Sequence, residues 1–147
     1  MLWFYAGLAL LAGLASTIQA GVNALLVRYA GHGIVAALVS FAVGTLALAA
    51  YGLIARTPLP SWNQLSQTPP LMLSGGVFGA YFVASVIFAA PRLGAAALIA
   101  FVVAGQMLAS ILLDHFGLLG FAEHPVNLWR LAGVACLIAG VVLIRIF

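Results

Sequence analysis

The chain of 147 residues is 66% hydrophobic and only 5% charged, with five arginines, no lysine, one aspartate and one glutamate, for a net charge of +3. A soluble domain carries about 25% charged residues to face water, so this composition, with mean hydropathy +1.27, describes a protein solvated by lipid. The arginines stand singly, which excludes a basic patch for nucleic acid. The absence of metal-ligand spacing, a phosphate loop or a nucleophile elbow leaves no cofactor, metal or enzyme class to assign.

Backbone in hydrocarbon must bond to itself as helix or closed barrel. Alternation with period two is absent, so the fold class is all-α, an integral membrane protein with a single five-helix domain over residues 1–147. The apolar runs predict helices over about 2–27, 33–55, 71–90, 95–113 and 128–147. The first has no basic leader and is too long for a cleaved signal peptide. All six prolines fall between these segments, where a missing N–H costs least. Residues 56–70 hold four of them and form the extramembrane loop, with Trp62 at headgroup level. Pro91-Arg92-Leu93-Gly94 reads as a turn short enough to make helices three and four antiparallel neighbours. Five crossings place the termini on opposite sides.

Arginine counting barely orients such a chain. The C-terminal side receives Arg28, Arg92 and Arg145, the N-terminal side Arg56 and Arg130. A fixed orientation set by weak cues and insertion both ways, with pairing as an antiparallel dimer, remain equally open. Small residues four apart, such as Ala9, Gly13, Thr17 and Gly21 or Ala36, Ser40 and Gly44, allow close helix packing. Cys136 reads as a small apolar-run residue, and the fifth helix as the one facing lipid or a partner.

Polar residues at membrane depth are the informative ones, because each is costly unless paired or hydrated. Ser16, Gln19 and Asn23 share one face of the first helix, and Gln106, Ser110 and Asp114 share one face of the fourth. Two such stripes would line a hydrated solute pathway, or else hold the bundle through interhelical hydrogen bonds. Asp114 and His115, at the end of the fourth helix, fit either a coupling or gating pair or simple headgroup contacts. Arg92, His32, Glu123 and His124 have the same interfacial reading.

The run Gln19-Ala20-Gly21-Val22-Asn23-Ala24 resembles a signature of the five-helix, YdcZ-type branch of the drug/metabolite transporter superfamily. So do Ser40–Thr45, Pro91–Ala95, Gly105-Gln106 with Ser110, Leu113–Gly120, Arg130–Gly133 and Gly140-Val141, in order along nearly the whole chain. The resemblance implies a half-transporter, one unit of an inverted repeat. It also implies an antiparallel dimer with an identical or oppositely oriented homologous chain, in the bacterial inner membrane. Related small multidrug exporters carry a glutamate in the middle of helix one; here Gln19 and Asn23 hold the deep polar positions. The expected function is a secondary transporter subunit whose Ser16, Gln19, Asn23, Ser40, Gln106 and Ser110 line the path of a small polar or amphipathic solute. The alternative is a non-transporting scaffold or accessory subunit.

Overall fold

A computed structural model describes all 147 residues, and every regular element in it is helical. The elements are α1 (Leu2–Ala30), α2 (Gly33–Ile54), α3 (Trp62–Ser66), α4 (Pro70–Leu73), α5 (Gly75–Leu93), α6 (Ala95–His115) and α7 (Leu128–Ile146), with a 3-10 turn at Leu118–Gly120. Five spans are long and apolar enough to cross a membrane, the third running Pro70–Leu93. At most 17% of any span is buried within the chain, so most of each apolar surface is left for lipid or a partner. The chain divides into two compact units, Met1–Arg92 and Leu93–Phe147.

In the first unit α1 runs three residues past the expected end and stops at Gly31, whose left-handed φ of 76° donates its N–H back to the Val27 carbonyl. His32 caps α2 at once, its Nδ1 accepting from the Ile34 N–H. Ala36, Ala37, Val83 and Ile87 form the core, with Leu26, Val27, Ala30 and Phe82 packed against it. Gly33 is the tight position: a Cβ there would stand 2.9 Å from the Phe88 ring and 3.3 Å from Ile87. Gly33→Val should therefore destabilise the fold by about 1–3 kcal/mol, read as a lower unfolding temperature. Gly33→Ala should cost less, since the ring edge of Phe88 can yield.

The glycine stripes behave differently. Gly13, Gly21, Gly44, Gly75, Gly76 and Gly140 have no atom within 4 Å of an added Cβ, while Gly79 meets Phe41 at 3.5 Å. Close packing inside one chain thus explains Ala36 and Gly79 but not most of the stripe.

Two expected boundaries are corrected. Residues 56–70 are not all loop, because Ser61 and Gln64 build a capping box that starts α3. Pro91 lies inside α5, not in a turn, and the helix continues to Leu93. A proline this close to the C-terminus disturbs only the last turn, and spanning helices tolerate it. Gly94, at φ 76° and ψ 166°, is the single residue between α5 and α6, a conformation open essentially to glycine alone.

In the second unit α6 extends to His115, two residues beyond the expected end, and packs against α7. Gly117, Leu119 and Gly120 all take positive φ and turn the chain between the two helices. Asn127 caps α7, its Oδ1 accepting from the Arg130 N–H at 2.9 Å.

Candidate functional site

The α1 polar face divides by burial. Ser16 is half-buried and Gln19 exposed, while Asn23 is buried to 4% exposure. No protein group hydrogen-bonds the Asn23 amide, and no unpartnered side-chain polar atom is sealed in the chain. The amide tip therefore reaches the surface of the chain. Ser40 on α2 is half-buried. Asn23 and Ser40 lie seven residues on either side of the α1–α2 link, each about 10 Å along its helix, so they stand at one depth.

In the second unit, the Ser110 hydroxyl donates to the Gln106 carbonyl at 2.7 Å, the ordinary resting place of a helical serine. Gln106 is exposed. Ser110 and Asp114 line a cavity of about 320 Å³ with Met107, Ile111, Arg130 and Gly133. Arg130 Nη1 donates to Asp114 Oδ2 at 3.2 Å and to the His124 carbonyl at 3.2 Å. The His124 N–H donates to the Asp114 carbonyl at 2.7 Å, and the Val126 N–H donates to His115 Nδ1 at 3.2 Å. Asp114 and His115 are thus joined to the segment 124–130 in a clasp across the α6–α7 connection.

Sequence reading found Asp114 and His115 but missed that Arg130 pairs with Asp114. The signal was available: two acids exist in the chain, and one ends a helix whose successor opens with an arginine. It also missed that Arg28 and Arg92 line one cavity of about 330 Å³ in the first unit. The α1 and α2 residues belong to the first unit, and Gln106, Ser110, Asp114 and His115 to the second.

Five apolar spans with no strand, and polar groups confined to a few helix faces and ends, define a multi-pass integral membrane protein. A family model described as "Putative inner membrane exporter, YdcZ" matches residues 4–143, and the chain belongs to that family. It is an inner-membrane protein of a family described by export, not by an enzymatic reaction. No curated protein and no solved structure matches it.

Proposed function

We propose that the chain is one subunit of a secondary transporter that moves a small polar or amphipathic solute. Two antiparallel copies, identical or homologous, would open a midplane cleft alternately to each side. The observation that carries this reading is Asn23: a buried amide with no protein partner, on a spanning helix, beside Ser16 and Gln19. An amide held only for packing would be bonded across to a neighbouring helix. Gln106 and Ser110 extend the lining on α6. Asp114 and His115 act as gate elements at the membrane edge, since their clasp to the segment 124–130 must loosen for that end to open.

Cysteines placed singly at positions 19, 23 and 106 in a Cys136→Ala background test the cleft. An aqueous thiol reagent should label all three in membranes, and a small metabolite that raises the unfolding temperature should protect them. Failure to label positions 19 and 23 would favour the scaffold reading. Reporters fused to the C-terminus test the pairing: comparable signal from both sides of the membrane is expected for dual insertion. Signal from one side only would require an oppositely oriented homologous partner.

A further inference from the structure

The second cavity lies where α1 ends, α2 begins and α5 ends, and Arg28 and Arg92 line it with Val27, Gly33, Ile87 and Phe88. Neither guanidinium hydrogen-bonds to the protein or comes within 4 Å of a carboxylate; the ion pair in the chain is Arg130–Asp114. Residues 1–92 contain no Asp or Glu, so the first unit cannot neutralise these charges itself. A cation in the last turn does complement a helix macrodipole. Arg145 does the same on α7, yet it lines neither this cavity nor the α6–α7 one. Macrodipole balance therefore does not require two arginines from two helices to converge on one apolar-walled space.

We infer that this cavity binds the phosphate group of an anionic amphiphile. Guanidinium forks match phosphate oxygens two at a time, and two of them suit a group with two or three free oxygens and at least one negative charge. The walls of Val27, Ile87 and Phe88 take the apolar body that carries the phosphate. The ligand is a membrane phospholipid or a phosphorylated solute with an apolar part. This inference stands apart from the transport reading and survives its failure.

The test uses the purified full-length chain in neutral detergent. Thermal unfolding is followed during titration with dioctanoyl phosphatidylglycerol, with dioctanoyl phosphatidylcholine, and with glycerol 3-phosphate. Phosphatidylglycerol should stabilise the protein well beyond phosphatidylcholine, whose own ammonium competes for the phosphate. In R28Q/R92Q the half-saturating concentration should rise by roughly ten- to hundredfold, while R145Q should match the parent. If R28Q/R92Q does not fold, R28Q and R92Q singly should each shift it by about tenfold. Stabilisation by glycerol 3-phosphate as well would identify a soluble source, and by phosphatidylglycerol alone a membrane source. Equal response to the two lipids, or an R145Q shift as large as that of the Arg28 and Arg92 variants, would overturn the assignment.

Discussion

Replacing Asn23 with leucine should raise the unfolding temperature while removing transport. Asn23 is 4% exposed and its amide has no protein partner. An amide at membrane depth is costly unless it is paired or hydrated, and with no protein partner Asn23 must draw its hydrogen bonds from water or solute, a dependence that a side chain used only for structure would not keep. Leucine needs no such partner and has a similar volume. A gain of about 1 kcal/mol, or 2–4 °C for a chain of this size, is expected. The cleft should also dry, so a cysteine at position 19 in a Cys136→Ala background should react more slowly with aqueous thiol reagents. Transport of whichever solute protects the parent from heat should be lost. A fall in stability with no change in labelling would mean that Asn23 holds helices together and lines nothing. Gln19→Ala, at an exposed position, should leave stability within about 0.5 kcal/mol and serves as the control for the method.

Hydropathy made the spans legible because lipid imposes one rule on every residue along some 20 positions, and five apolar runs leave little freedom. Boundaries were less legible where one residue's preference had to be weighed against its neighbours. Pro91 reads as a helix breaker in isolation, but so near the end of α5 it forfeits little, and the stop is set by Gly94. The glycine stripes show the reverse error. Spacing marks them as packing surfaces, yet the tight contact in the first unit falls at Gly33, where α2 starts beside Phe88 and no periodicity announces it. The candidate site was legible as residue types but not as pairings. Asn23 and Asp114 both stand out as polar residues in apolar sequence. The fold shows that one has no protein partner and the other is engaged by Arg130; at a separation of 16 residues the only sequence signal for that pair is the scarcity of acids, not a local pattern.

Arg130→Ala should cost about 1–2 kcal/mol and loosen both the segment 116–127 and the end of α6 from α7. Three effects contribute. The ion pair with Asp114 spans 3.2 Å, but its side chains retain 31% and 29% of their exposure, so water screens it and the pair alone supplies less than about 1 kcal/mol. The same Nη1 also donates to the His124 carbonyl, which binds the connecting segment to α7. Removing it further leaves the Asp114 carboxylate unpaired beside the cavity it lines with Ser110. Asp114→Asn should be milder, because the His124 N–H bonds the Asp114 backbone carbonyl and that contact persists. A double-mutant cycle over Asp114→Asn and Arg130→Gln separates the pair from the rest; a coupling of about 0.5–1 kcal/mol is expected. Hydrogen exchange supplies the second readout. Protection of the His124 and Val126 amides should fall in Arg130→Ala, while the amides of α1 and α2 keep theirs. If the clasp is a gate, the same substitution should also speed aqueous labelling of a cysteine at position 106. Unchanged labelling with lost protection would make the clasp a structural tie between α6 and α7 and leave gating to other residues.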